Sequence, residues 1–383
     1  MDRDFGLTEE QTEVVELARG FVADRVGPSI AGYEERKEFP RPLFRQLAEM
    51  GLAGIPYSEN YGGGGQPYLT YLAVLEELAT GSVSLAVGLS VHHLSAFGVH
   101  EFGSEELKDR YLPRLFSGQW LGAYALSEAS SGSDAASLKT RAERASHGDH
   151  YALTGSKRFI SHGGEAEHYL VMARTGDDSP SGISAFVVEK GWDGFGFGRL
   201  EEKMGWHASP MRELLFDGCR VPGENLVGEE GQGFTVALAA LDGGRLGIAA
   251  CSVGVARAAL DAAVAFTRER EQFGRPVIEN QGLQFLLADA ATQVEAARRL
   301  YREAARARDQ GRGTPQSCSM AKLFASDVAM RVTTDAVQAH GGYGYMAEYP
   351  VERYMREAKG LQIVEGTNQV QRMIIGRHLA GMG

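Results

Sequence analysis

At 383 residues, with 43% hydrophobic and 23% charged side chains, the chain is ordinary for a globular protein and too long for one minimal domain. A net charge of −11 argues against nucleic acid or an anionic membrane as partner, and says nothing about which small molecule is bound. Cys219, Cys251 and Cys318 stand apart with no CxxC pair, which predicts reduced, buried thiols and not a disulfide framework.

The opening Met1-Asp2-Arg3-Asp4 is acidic and runs toward a helix, so no secretory signal is expected. No apolar run approaches the ~18 residues of a membrane span, and the expectation is a soluble, cytoplasmic protein. Thr8 to Gln11 has capping-box spacing, and Val14, Leu17, Phe21 and Val22 follow on one helical face until Pro28 is expected to stop it. Pro42 opens a second helix that ends near Gly51. Leu69 to Thr80 predicts a third, buried on more than one side. Ser104-Glu105-Glu106 starts another, with acids where the helix dipole favours them, and Gly118 closes it.

From about Leu121 the period shortens to that of strands. Tyr151–Thr154, Tyr169–Met172 and Ile183–Glu189 are β-rich runs separated by Gly and Asp clusters, with no helix between them. That pattern predicts an antiparallel sheet or barrel. After Gly231 the helical period returns in Gly233–Arg270, Asn280–Arg308 and Ser317–His340, an antiparallel bundle. The predicted class is α+β with three domains: helical at residues 1–120, a β-domain at 121–230 and a bundle at 231–383.

Common site motifs are missing. No GxGxxG joins a strand to a helix, no P-loop occurs, and no GxSxG elbow makes Ser133 a hydrolase nucleophile. His92 and His93 are adjacent, which is poor spacing for two metal ligands on one helix face; they read as a packed or solvated pair.

Four segments carry more. They are Tyr124-Ala125-Leu126-Ser127-Glu128 with Gly132-Ser133-Asp134, then Arg268 to Gly274 (REREQFG), then Gln338 to Tyr345 (QAHGGYGY), and finally Ile363 to Gln369 (IVEGTNQ). Singly they read as a turn, a charged helix end, a glycine-rich helix stop and a capped helix start. In this order and spacing they resemble the acyl-CoA dehydrogenase family over nearly the whole chain.

The resemblance implies a helical domain, a β-domain and a four-helix bundle, an FAD cofactor held between domains and across a subunit interface, and a homotetramer built as a dimer of dimers. It places Tyr124, Leu126 and Ser127 along the flavin ring, with Ser127 where relatives often have Thr. Ser133 would meet CoA or the flavin phosphate region. Phe159-Ile160-Ser161 matches a segment that is often Trp-Ile-Thr beside the isoalloxazine. Arg270, Gln272 and Phe273 would reach the FAD pyrophosphate and adenosine across the dimer, with Gln281, Gln338, Gly341 and Gly342 on the adenine side. Arginine suits the pyrophosphate because its planar fork binds oxygens in pairs. Thr367 and Gln369 sit at a helix start, where free N–H groups favour an anion. Asp242-Gly243-Gly244-Arg245 matches the stretch that meets the pantetheine and shapes the pocket floor.

Dehydrogenating a thioester across Cα and Cβ needs a base on one face and a hydride acceptor on the other. Glu365 is the candidate base, because desolvation beside an acyl chain raises a carboxylate's basicity. Gly366 lets backbone and acyl chain pass closely. In the family the thioester oxygen is met by the base residue's own N–H and a ribityl hydroxyl, an oxyanion hole. Isovaleryl- and long-chain-type relatives place the base at the position of Gly244, so a glycine there points to the short-, medium- or short-branched-chain enzymes. Val364, often Tyr in relatives, leaves chain length open. The expected partners are an acyl-CoA substrate and an electron-transfer flavoprotein. The competing readings are an oxidase or desulfinase relative, activity on a carrier-protein thioester, and a non-catalytic CoA- or DNA-binding relative.

Overall fold

The computed structural model describes residues 4, 6–146 and 149–382. The acidic start read at Met1, Asp2 and Arg3 lies outside the described residues. Helix α1 (Glu9–Phe21) opens on the predicted capping box: Thr8 Oγ accepts the Gln11 N–H at 3.2 Å while Gln11 Oε1 accepts the Thr8 N–H at 3.0 Å. Pro28 does not stop this helix. One π-helical turn, Val22–Val26, carries the chain into α2 (Gly27–Arg36), and Pro28 sits in the first turn of α2, where its missing N–H costs least.

Next come α3 (Arg41–Glu49), α4 (Tyr68–Gly81), α5 (Val83–Phe102) and α6 (Glu105–Phe116). Every residue of α4 from Leu69 to Ala79 is buried, as its all-round apolarity predicts. Contrary to the expectation of no long apolar run, α5 and the later α7 (Gly233–Glu269) are long and apolar enough to cross a membrane. The windows concerned are 83% and 72% buried inside the protein, so their apolarity serves its core.

The middle of the chain forms one sheet of eight strands: β1 (Gly122–Ala125), β2 (Arg141–Arg144), β3 (His150–Ser161), β4 (His168–Arg174), β5 (Ile183–Glu189), β6 (Phe195–Leu200), β7 (Met211–Pro222) and β8 (Leu226–Val227). Their order is β6-β7-β3-β2-β4-β5-β8, with β1 beside β4. The sheet is mixed and not purely antiparallel, because β1 runs parallel to β4 and β2 meets β4 in a parallel bridge. Hairpins alone cannot pair strands this way. The chain leaves β1, builds the β2–β3 hairpin, and returns to lie alongside it.

After α7 a short hairpin, β9 (Glu271–Gln272) and β10 (Arg275–Pro276), leads to α8 (Gln281–Asp309) and α9 (Pro315–His340), then α10 (Val351–Leu361) and α11 (Asn368–Leu379). The three cysteines are free and buried. A buried charge cluster ties α4 to the bundle. Glu76 on α4 accepts from Arg257 of α7 at 2.8 Å, and from Arg298 and Tyr301 of α8 at 3.0 and 2.6 Å.

Candidate active site

Glu365 lies in the loop between α10 and α11. Its backbone is left-handed, with φ 54°, and Gly366 follows at φ 88°. Such a conformation is natural for glycine and strained for glutamate. The turn is held from beneath: Gln371 Nε2 donates to the Gly366 carbonyl at 2.8 Å and to the Glu365 carbonyl at 3.2 Å. Thr367 caps α11 by accepting the Val370 N–H at 3.3 Å, while Gln369 is exposed on the first turn.

Both carboxylate oxygens of Glu365 are buried without a hydrogen-bond partner among the described residues. Burial pushes its pKa up to about 8, against the opposing pull of Lys322 and Arg245. An unsatisfied buried carboxylate is costly, so this one is held for something it will meet. The Glu365 N–H also has no acceptor among the described residues, which leaves a free donor beside the carboxylate.

Helix α7 supplies the facing wall. A Cβ on Gly244 would overlap the Glu365 carboxylate and come within 2.8 Å of Leu94 Cδ2, while one on Gly243 would press on the Tyr68 hydroxyl at 2.8 Å. Two adjacent glycines inside a helix cost roughly 1 kcal/mol each relative to alanine, and here both are needed for space. Arg245 pairs with Asp242 at 2.5 Å across one turn, so its charge is largely met locally. Tyr124 on β1 donates to the Ala237 carbonyl at 3.2 Å and lies within the electrostatic reach of Glu365. Gly243 and Gly244 line a cavity of about 230 Å³ whose other walls include Leu94, Tyr68, Tyr71, Ser90 and His93. His92 and His93 are both buried, and His93 stacks on Tyr71 at 4.1 Å, which makes them a packed pair.

The flavin-wall candidates gather where β1 ends. Ser127 O accepts the Arg158 N–H at 2.8 Å, and Leu126 O accepts from the buried Lys157 ammonium at 3.2 Å, so the exit of β1 lies on β3. A register shift between Lys157 and Ile160 marks a bulge against β7. Phe159 sits in it at φ 61° with 59% of its surface exposed, whereas Ile160 is buried and Ser161 is half-buried. Bulges re-aim side chains, and this one turns an aromatic ring out of the sheet, where the Arg158 guanidinium lies over it at 5.6 Å.

A second group lines a groove of about 710 Å³: Arg270, Gln272, Gln338, Gly341 and Gly342, with Tyr343 under the Arg270 guanidinium at 5.3 Å. Gln281 starts α8 beside it. The structure does not bring every candidate together. Phe273, at the hairpin tip, is 97% exposed and is not part of the groove wall, and Ser133 is an exposed loop residue. The groove and the cavity beside Glu365 share no lining residue. One chain therefore carries two separate concave sites.

Sequence reasoning missed Lys322, Asn368 and Gln371, which brace the loop, and Tyr68, which reaches the cavity. Lys322 carried a signal: it is the lone cation in Ser317–Ser326, a stretch otherwise of small and apolar residues with one Phe.

Three family models match in series: "Acyl-CoA dehydrogenase, N-terminal domain" over residues 8–119, the middle domain over 123–219 and the C-terminal domain over 231–380. An acyl-CoA dehydrogenase of Bacillus subtilis (strain 168) is 46% identical over 98% of this chain and 99% of its own. The mitochondrial isobutyryl-CoA dehydrogenase of Bos taurus is 43% identical over 99% of this chain and 91% of its own. The solved butyryl-CoA dehydrogenase of Megasphaera elsdenii superposes with a TM-score of 0.96 at 43% identity, covering 98% of this chain and 100% of that one. With its helices, mixed sheet and bundle in the same arrangement, the chain belongs to the acyl-CoA dehydrogenase family.

Proposed function

We propose that the protein dehydrogenates a short- or medium-chain acyl-CoA, straight or branched, to the trans-2-enoyl-CoA, with Glu365 taking the α-proton. The observation that carries this reading is the Glu365 carboxylate: buried, unpartnered, and set beside a cavity floored by glycine. A neutral acyl tail in that cavity keeps water from the carboxylate and preserves its raised basicity. The free Glu365 N–H would donate to the thioester oxygen as enolate charge develops. A cavity of about 230 Å³ with Tyr68 and Tyr71 in its wall supports a short tail, as does the absence of a carboxylate at Gly244.

The residues present fit FAD. The exposed ring of Phe159 offers a wall for a flat ring system, next to Tyr124, Leu126, Ser127, Ile160 and Ser161. The groove of Arg270, Gln272, Gln338, Gly341 and Gly342 offers a cation and close backbone approach for a pyrophosphate and adenosine. Phe273, Gln281, Thr367 and Gln369 would complete that hold across a subunit boundary, in a homotetramer. Bound there, FAD supplies an acceptor for the β-hydride. Ser133 and the Asp242–Arg245 pair would meet the CoA arm. An electron-transfer flavoprotein is the proposed electron acceptor.

Dye-linked reduction over a panel of acyl-CoA thioesters, from four carbons upward and including branched chains, tests the reading. The highest kcat/KM is expected on a short chain, and Glu365→Gln is expected to keep its yellow colour but not bleach with substrate. Equal bleaching in both proteins would sink the assignment of the base.

A further inference from the structure

Lys322 projects from α9 with its side chain fully buried, facing the loop that carries Glu365. Its ammonium donates to the Gly366 carbonyl at 3.0 Å and to Asn368 Oδ1 at 2.9 Å. It forms no ion pair among the described residues, so two neutral acceptors hold a buried charge. Burying a cation this way is unfavourable unless it serves the fold or the site.

The segment it grips is the strained one. Left-handed backbone is strained for a non-glycine residue, and Glu365 is followed by Gly366 in the same region. The Gly366 carbonyl accepts from both Lys322 and Gln371, so that peptide is clamped from two helices, α9 and α11. Asn368 is fixed in turn, donating to Ser326 Oγ at 3.0 Å and to Asp327 Oδ1 at 2.7 Å. None of these bonds touches the Glu365 carboxylate, which is left free to meet a ligand.

We propose that Lys322 is a positioning residue for the base: it clamps the Gly366 carbonyl and Asn368 so that the strained turn keeps Glu365 aimed at the cavity, and its charge favours the ionised carboxylate. This rests on the reading of Glu365 as the base. Among the groups facing Glu365, Arg245 on α7 is matched by Asp242 at 2.5 Å. Cys251 on α7, Tyr124 on β1 and Tyr68 on α4 are pushed up by burial and stay neutral near neutral pH. Lys322 thus stands near Glu365 with no ion pair among the described residues, although Asp327 on α9 also acts on its charge and burial lowers its pKa to about 8.

The test is the pH dependence of acyl-CoA-driven dye reduction in the holoenzyme for wild type, Lys322→Met and Lys322→Arg. In Lys322→Met, kcat is expected to fall about tenfold or more with KM little changed, since the loss lies in orienting the base. The acidic limb of the profile should move to higher pH by roughly one unit, and Lys322→Arg should return it toward the wild-type position. A flavin-loaded Lys322→Met whose limb has not moved overturns the proposal. Should Lys322→Met not fold, Asn368→Leu carries the test, because it removes the ammonium's side-chain acceptor and keeps the charge. A fall in kcat at unchanged KM supports the clamp, and wild-type kcat overturns it. Wild type that is silent on every thioester would overturn the dehydrogenase reading and the role of Lys322 with it. An active wild type with an unmoved Lys322→Met limb overturns the role of Lys322 alone.

Discussion

Glu76 and Glu365 are both buried glutamates, and their surroundings are opposite. Glu76 on α4 meets Arg257, Arg298 and Tyr301 at 2.6–3.0 Å, and these arginines hold its pKa below the usual carboxylate range despite its burial. The Glu365 carboxylate has no hydrogen-bond partner among the described residues, and burial raises its pKa to about 8. The first carboxylate is satisfied and binds three helices together. The second is left unsatisfied by a turn that other residues hold in place. The same side chain type is a paired brace in one place and an unpaired, raised-pKa group in the other, which is the contrast the proposed base rests on.

Breaking the comparison at its reactive end should give the largest effect. Glu365→Gln is expected to lower kcat by about 10²–10⁴-fold, the usual share of a general base, in single-turnover bleaching. The same change should leave the unfolding midpoint in urea unchanged or raise it at pH 8, because it removes an unpaired buried charge. Glu76→Ala should do the reverse. It strands Arg257 and Arg298 and is expected to cost about 3–5 kcal/mol by denaturant unfolding.

A smaller change sharpens the geometry. Gly244→Ala puts a methyl into the Glu365 carboxylate and against Leu94, and kcat/KM should fall about ten- to a hundredfold in a folded protein. The smallest effect concerns Glu357 on α10, another buried glutamate, pushed up to about 8 by burial, with Glu34 adding to the rise. Its folded form keeps a proton that the unfolded chain loses from about 4.5 upward, so stability should fall as pH rises from about 4.5 to 8. Glu357→Gln should flatten that slope in thermal melts across pH.

The long helices were legible wherever one face differed from the other or an end was marked. Thr8 and Gln11 announced α1, and the bundle helices α7, α8 and α9 appeared within a few residues of their observed ends. Helix α5 was not legible. Nearly all of it from Val83 to Val99 is buried, so no period separates an inner from an outer face. The parallel pairing of β1 with β4 was hidden because register is a long-range property, and Pro28 misled because a π turn upstream absorbs it. At the site, Glu365 was visible through the Glu365-Gly366-Thr367 string. Lys322 was not, because its role depends on two acceptors 44 and 46 residues away along the chain.

The most direct test of Glu365 as the base is exchange of the substrate α-hydrogen. The holoenzyme would be held in D₂O under anaerobic conditions with a short acyl-CoA analogue blocked at Cβ, and deuterium uptake read by mass spectrometry. Wild type is predicted to exchange the α-hydrogen with a rate that rises through pH 8, and Glu365→Gln to exchange at the rate of free thioester. Equal, enzyme-accelerated exchange in both proteins would contradict the account.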